Sequence, residues 1–121
     1  MNYNSSSVLI VDDEAGIRTA LRVNFSRNGW DVETASGVRE AARLLESREF
    51  QLVVSDMRMP DGDGLEVMRA ARAVSSATAV ILLTAYGSVP DAVEAMRNGA
   101  WAVLAERGVE RLYEDAPGRS E

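Results

Sequence analysis

Three short apolar runs dominate the hydrophobic pattern of the chain, at residues 8–11, 52–55 and 79–83. Each run is rich in β-branched side chains and is short enough to form one buried strand. Between the runs, apolar residues recur at the spacing of an amphipathic helix. Because strands and helices alternate along the chain, the pattern predicts an α/β fold built on a parallel sheet.

Four helices and two further strands complete this prediction. Residues 30–35 and 100–104 have the pattern of strands, and the Asn-Gly pairs at 28–29 and 98–99 are typical helix ends. The first helix is predicted to open at Asp13 or Glu14, and Ser36 is predicted to cap the second. The predicted inward positions are Ile17, Leu21 and Phe25 in the first helix; Val38, Ala41, Ala42 and Leu45 in the second; Leu65, Met68 and Ala71 in the third; and Val89, Val93 and Met96 in the fourth.

The pattern weakens towards the end of the chain. Val109, Leu112 and Tyr113 form one short apolar stripe before Pro117 and Gly118, so the last helix is expected to be short or irregular. We expect a single domain over residues 1–121, with its core in residues 7–115 and a loose tail in residues 116–121.

Oxygen-bearing side chains follow all three central strands. Asp12 and Asp13 come after the first run, Asp56 after the second and Thr84 after the third. Neighbouring strands lie about 4.8 Å apart, and parallel strands end at the same edge of the sheet. These four side chains are therefore expected to converge on one pocket.

The composition narrows the chemistry of that pocket. The chain has no Cys and no His, which excludes disulfides, thiol catalysis and the commonest transition-metal ligand. Carboxylate and hydroxyl oxygens suit a hard cation such as Mg²⁺. The net charge of −6 and the scattered arginines argue against direct nucleic-acid binding. Since no apolar run approaches the ~20 residues of a membrane span, we expect a cytoplasmic protein without membrane contact.

Three sequence strings together resemble one known family. They are residues 8–14 (VLIVDDE), 55–64 (SDMRMPDGDG) and 83–87 (LTAYG). The chain resembles the receiver domain of bacterial two-component response regulators from about residue 8 to about residue 101. The last two strings and residues 92–100 (AVEAMRNGA) look most like the receivers of nitrogen-regulator-type transcription activators. The resemblance implies a flavodoxin-like, doubly wound, five-stranded parallel sheet with the strand order 2-1-3-4-5.

The resemblance also implies a role for each pocket residue. Asp56 would be the phosphoacceptor, and Thr84 would hydrogen-bond the phosphoryl group and act in the switch. Asp12, Asp13, Asp56 and the backbone carbonyl of Arg58 would form the Mg²⁺ site. Like charges about 4 Å apart repel by roughly 4 kcal/mol at an effective dielectric constant near 20, so clustered carboxylates here favour a divalent ion.

The chain departs from the family pattern after Trp101. Counting from Thr84 without gaps, Val103 stands at the position of the switch aromatic residue, and Glu106 and Arg107 stand at the positions of the family's Lys-Pro pair. All 13 basic residues of the chain are arginines, because the sequence contains no lysine. Arg107 is a candidate to replace the missing cation, since a guanidinium pairs well with phosphate.

Two functions remain open at this level. The first is a phosphoacceptor module of a two-component phosphorelay, a signalling switch rather than an enzyme beyond its own phosphoryl transfer and slow dephosphorylation. The second is a pseudo-receiver that acts as a phosphorylation-independent interaction module. The resemblance implies a sensor histidine kinase as donor, and an output domain, a partner protein or a second copy bound through the fourth helix, fifth strand and last helix. We expect no output domain within these 121 residues.

Overall fold

The chain folds as alternating strands and helices, with one small hairpin inserted before the third helix. The structure is a computed structural model that describes residues 6–84 and 89–105, with Val89 described for its backbone alone. The strands are β1 (Ser7–Val11), β2 (Asp31–Ala35), β3 (Leu52–Asp56), β4 (Arg58–Met59), β5 (Gly62–Asp63), β6 (Ala79–Thr84) and β7 (Ala102–Ala105), and the helices are α1 (Ala15–Arg27), α2 (Val38–Ser47), α3 (Gly64–Val74) and α4 (Val89–Arg97).

Five of the strands form one parallel sheet, in the order β2-β1-β3-β6-β7. If only the strands of this sheet are counted, the order is 2-1-3-4-5, which confirms the predicted topology. The register pairs Val11 with both Ala35 and Ser55, so β1, β2 and β3 end at nearly the same level. This alignment brings the residues that follow β1 to the end of β3.

Alternation along the central strands divides the core between the two faces of the sheet. Val8 and Ile10 of β1 lie in one apolar cluster with Leu21 and Phe25 of α1. Leu9 and Val11 lie in the other, with buried residues of α2, α3 and α4. Strands β1, β3 and β6 are therefore covered on both sides, which explains why each reads as an unbroken apolar run.

The Asn-Gly pairs end their helices as predicted. Gly29 follows α1 with φ +87°, and Gly99 follows α4 with φ +94°, a backbone conformation that side chains with a Cβ adopt rarely. Immediately after the first of these turns, Trp30 is buried and its ring meets that of Phe25 edge to face, with the centroids 5.2 Å apart. Trp30 is thus a packing residue.

The predicted cap of α2 is wrong by one position. Gly37, and not Ser36, is the N-cap residue, and it offers no side chain to the helix. Ser36 instead donates its N–H and O–H to the Glu40 carboxylate at 2.9 and 3.0 Å. The N–H groups of Val38 and Arg39 at the start of the helix donate to the carboxylate of Asp61, which lies in a distant loop.

The predicted inward stripe of α4 is also wrong. The side chains of Val93 and Met96 are 45% and 51% exposed, whereas Ala95 is fully buried. Trp101, which follows this helix, is 55% exposed. The apolar periodicity correctly indicates a helix, but Val93 and Met96 lie on its exposed face among the described residues.

Several predictions fall outside the described residues. The last helix, the tail, Glu106 and Arg107 lie in residues 106–121, and the side chain of Val89 is likewise not described. In the part of the chain that is described, no helix combines the length and the apolar character needed to cross a bilayer.

Candidate functional site

Three carboxylates meet where β1 and β3 end. Asp12 directly follows β1 and is fully buried, Asp13 is exposed, and Asp56 is the last residue of β3 with 9% of its surface exposed. One carboxylate oxygen from each residue can be chosen so that all three lie within 4.8 Å of one another. The structure therefore brings together the three acids that the sequence predicted to converge.

Local hydrogen bonds fix the backbone around Asp12. Its N–H donates to the Ala35 carbonyl at 3.1 Å, and its Oδ1 accepts from the Glu14 N–H at 2.9 Å. The Arg18 guanidinium donates to the Asp12 carbonyl oxygen at 2.7 Å. Sequence reasoning missed Arg18, although its place on the first turns of α1 puts it close to the acids.

The electrostatics of the cluster act chiefly on Asp56. Burial, and then the negative charge of Asp12 and the smaller effect of Asp13, raise the pKa of Asp56 to about 6. The backbone N–H of Arg58, which donates to Asp56 Oδ1 at 3.3 Å, acts in the opposite direction. At Asp56, burial and the neighbouring charges thus outweigh the effect of this hydrogen bond.

Thr84 lies at the same edge of the sheet. It is the last residue of β6 and is buried, and the register pairs its neighbour Leu83 with Asp56. The Met57 N–H continues the ladder by donating to the Leu83 carbonyl at 2.8 Å. Thr84 therefore lies one residue beyond the level of Asp56, at the end of the strand that the sequence predicted.

The segment after Asp56 has more regular secondary structure than its turn-rich sequence indicates. Arg58–Met59 and Gly62–Asp63 pair as a short antiparallel hairpin, which the sequence did not predict. Asp63 then caps α3, since its Oδ1 accepts from the Glu66 N–H at 3.0 Å while the Glu66 carboxylate accepts from the Asp63 N–H at 3.0 Å. The motif Asp-x-x-Glu was available in the sequence as a signal for this capping box.

Gly64 packs closely against the backbone at the end of β3. A Cβ at Gly64 would lie 2.8 Å from the Asp56 carbonyl oxygen and 2.7 Å from the Leu82 side chain. Its N–H donates to the Met57 carbonyl at 2.9 Å. Gly64 thus allows the start of α3 to approach the backbone of the residue that carries the central carboxylate.

An ion pair links this loop to α4. The Arg58 guanidinium donates to Asp91 Oδ1 at 2.8 Å, with the Arg58 side chain 74% exposed and that of Asp91 15% exposed. The two residues are 33 positions apart, so no local pattern in the sequence pointed to the contact.

Val103, at the predicted switch position, lies in β7 and is partly buried against the core. Its register partner is Leu82 of β6. An aliphatic side chain here has no polar atom with which to contact Thr84 or a phosphoryl group.

Comparison with known proteins places the chain in a family. The model of the response regulator receiver domain matches residues 8–113. The chain belongs to the response regulator receiver domain family.

Relatives of this receiver domain include transcriptional regulators. It is 35% identical over 106 residues to the transcriptional regulatory protein GlrR of Escherichia coli, covering 88% of this chain and 24% of that protein. It is 40% identical over 98 residues to the response regulator protein PilR of Pseudomonas aeruginosa, covering 81% of this chain and 22% of that protein. The receiver domain thus spans about a quarter of the length of these relatives, and the assignment to receivers of nitrogen-regulator type is confirmed.

Solved receiver domains share the fold. The beryllofluoride-activated NtrC4 receiver domain dimer superposes with a TM-score of 0.81 at 36% identity, covering 89% of this chain and 90% of that one. A receiver domain protein from Methanospirillum hungatei gives a TM-score of 0.85 at 26% identity, covering 93% and 90% of the two chains. The protein is therefore a signalling module with an acidic pocket, formed by Asp12, Asp13 and Asp56, that could hold a metal ion.

Proposed function

We propose that this receiver domain accepts a phosphoryl group on Asp56 from a phosphohistidine of a sensor histidine kinase. The carboxylate cluster is the observation that carries the proposal, because three acids within 4.8 Å of one another repel and are stabilised together by a divalent cation. In the transfer, an Asp56 oxygen forms a bond to phosphorus while the bond from phosphorus to the donor imidazole nitrogen breaks. The product is an acyl phosphate on the protein.

Mg²⁺ is the cation that fits the donor set. Asp12, Asp13 and Asp56 offer only carboxylate oxygens, and the backbone carbonyl of Arg58 adds a fourth oxygen ligand in the proposal. When bound, Mg²⁺ supplies charge neutralisation and orientation for the transferring phosphoryl group. Because burial and then the neighbouring negative charges raise the pKa of Asp56, a cation among these charges also favours the ionised, nucleophilic carboxylate.

Phosphorylation of Asp56 would change the conformation of α4 through Thr84. The Thr84 hydroxyl would donate to a phosphoryl oxygen and draw the following segment towards the pocket. This movement would favour the active position of α4 over the inactive one. We propose that α4, β7 and the last helix then contact an output domain, a partner protein or a second copy of the chain in the cytoplasm. The likeness to a beryllofluoride-activated receiver dimer supports the last of these partners.

A second candidate is a pseudo-receiver that binds its partner without phosphorylation. The observation in its favour is Val103, a partly buried aliphatic residue where the family has its switch aromatic. The absence of lysine from the sequence points in the same direction, because the pocket then lacks the compact cation of the family.

Beryllofluoride binding distinguishes the two candidates. Titration of beryllofluoride into the protein with excess Mg²⁺, followed by calorimetry, is expected to give stoichiometric heat that disappears with EDTA. Asp56→Asn, which keeps the shape but removes the acceptor charge, is expected to abolish binding. Wild-type protein that binds Mg²⁺ but no beryllofluoride would favour the pseudo-receiver.

A further inference from the structure

Arg58 contacts both the acceptor carboxylate and the neighbouring helix. Its backbone N–H donates to Asp56 Oδ1 at 3.3 Å, and its guanidinium donates to Asp91 Oδ1 in the first turn of α4 at 2.8 Å. One flexible side chain therefore bridges the edge of the acidic pocket to α4.

Within residues 6–84 and 89–105, helix α4 contributes little to the apolar core. Among its described side chains Ala95 is the buried one, while Val93 and Met96 are 45% and 51% exposed. Just beyond its other end, Arg72 of α3 donates to the carbonyl oxygen of Gly99, and it also donates to that of Thr78, which precedes β6. Among the described residues, an arginine thus contacts the chain near each end of this helix.

The Arg58–Asp91 pair is weak enough to be exchanged. Because the Arg58 side chain is 74% exposed, solvent screening limits the effect of the pair on an equilibrium to about fivefold. A phosphoryl group carries about 1.5 to 2 negative charges and three acceptor oxygens, whereas Asp91 carries a single charge. A guanidinium pairs with such a group in bidentate fashion.

We infer that Arg58 supplies a cation to the phosphoryl group of this lysine-free receiver domain. Its guanidinium leaves Asp91 and pairs with the phosphoryl oxygens on Asp56, and the loss of the ion pair loosens the first turn of α4. Arg58 then joins phosphorylation to the movement of α4 without a switch aromatic. The inference rests on the proposed function, since it requires phosphorylation of Asp56.

Variants on the two sides of the ion pair give opposite predictions. The probe is beryllofluoride in excess Mg²⁺, titrated calorimetrically into the full chain. Asp91→Asn frees Arg58 and is expected to tighten binding by about two- to fivefold. Arg58→Ala removes the cation and is expected to weaken binding, and adding Asp91→Asn to Arg58→Ala is expected to have no further effect.

Two control variants separate the pair from general charge effects. Glu94→Gln removes an exposed acid from the same helix, and Arg69→Ala removes an exposed arginine from α3. Both are expected to leave the beryllofluoride affinity within about twofold of wild type, because long-range surface charges are screened by salt.

Amide hydrogen exchange of α4 tests the ion pair without any phosphoryl analogue. Asp91→Asn and Arg58→Ala are both expected to speed exchange in this helix relative to wild type and to Glu94→Gln. The inference is overturned if wild type binds beryllofluoride while Asp91→Asn leaves the affinity unchanged, if Arg58→Ala tightens binding, or if neither variant changes exchange in α4. A wild-type protein that takes up no beryllofluoride overturns the proposed function instead. The movement of Arg58 from Asp91 to the phosphoryl group then falls with it.

Discussion

The carboxylate of Asp61 caps helix α2 from outside, with Oδ1 accepting a hydrogen bond at 2.9 Å from the N–H of Val38, 23 residues earlier in the chain. Its Oδ2 accepts from the Arg39 N–H at 3.1 Å, and these two backbone bonds hold the pKa of Asp61 below its usual range. Since the folded-state pKa is lowered, the stabilisation is present above the ordinary pKa of a carboxyl group and is lost as the pH falls below it. The loop that carries Arg58 is thereby fastened to α2.

Gly37 leaves room for this cap, which gives a first prediction. A Cβ at Gly37 would lie 2.8 Å from Asp61 Oδ1, so Gly37→Ala is expected to push the carboxylate away and lower the midpoint of urea unfolding. In an Asp61→Ala background the same change is expected to have little effect, because the carboxylate that would meet the new Cβ is already absent. Equal effects of Gly37→Ala in the two backgrounds would show that its cost does not act through Asp61.

Gly64 gives a second prediction. Because a Cβ would lie 2.8 Å from the Asp56 carbonyl oxygen, a backbone atom, the contact is relieved only by moving the chain. Gly64→Ala is expected to cost about 1–3 kcal/mol in the free energy of unfolding and to weaken Mg²⁺ binding. Gly16 in α1 has nothing within 4 Å of its ideal Cβ, so Gly16→Ala is the matched control and is expected to be neutral or stabilising by about 1 kcal/mol. A Gly64→Ala protein as stable as wild type would contradict the close approach.

The raised pKa of Asp56 gives a third prediction, for protein kept free of divalent cations with EDTA. The pKa rises from 3.8 to about 6 on folding, so the folded state binds the proton more tightly and stability falls as the pH rises between these values. The loss is at most about 3 kcal/mol, because one pKa unit corresponds to about 1.4 kcal/mol. Asp56→Asn is expected to be more stable than wild type at pH 7, and the advantage is expected to vanish near pH 4. Urea unfolding at several pH values measures this, and a constant difference across the range would contradict it.

The sequence predicted the sheet and the acid cluster because both depend on local signals. The runs at 8–11, 52–55 and 79–83 are mainly apolar since their strands are buried on both faces, and Asp12, Asp13 and Asp56 lie at or just after strand ends. Parallel pairing then brings these ends together.

The remaining features depend on contacts that no local pattern encodes. The Asp61 cap and the Arg58–Asp91 pair join residues 23 and 33 positions apart. The apolar stripe of α4 indicates that a helix forms but not which side faces the core, and Val93 and Met96 lie on the exposed side.

Glu106 gives a fourth prediction, which comes from the sequence because this residue lies outside the described ones. Glu106 stands at one of the positions of the family's Lys-Pro pair, and a negative charge there would oppose that of a phosphoryl group on Asp56. Glu106→Lys is then expected to lengthen the lifetime of phosphorylated Asp56, measured by intact mass after removal of the donor. An unchanged lifetime would place the Glu106 side chain away from the pocket.

The most direct test of the account is the intact mass of the protein after incubation with a small phosphodonor and Mg²⁺. We predict a gain of one phosphoryl group on wild type, none after EDTA treatment and none on Asp56→Asn. A wild-type mass that does not change, in a sample that binds Mg²⁺ and remains folded, would contradict the assignment of Asp56 as the phosphoacceptor.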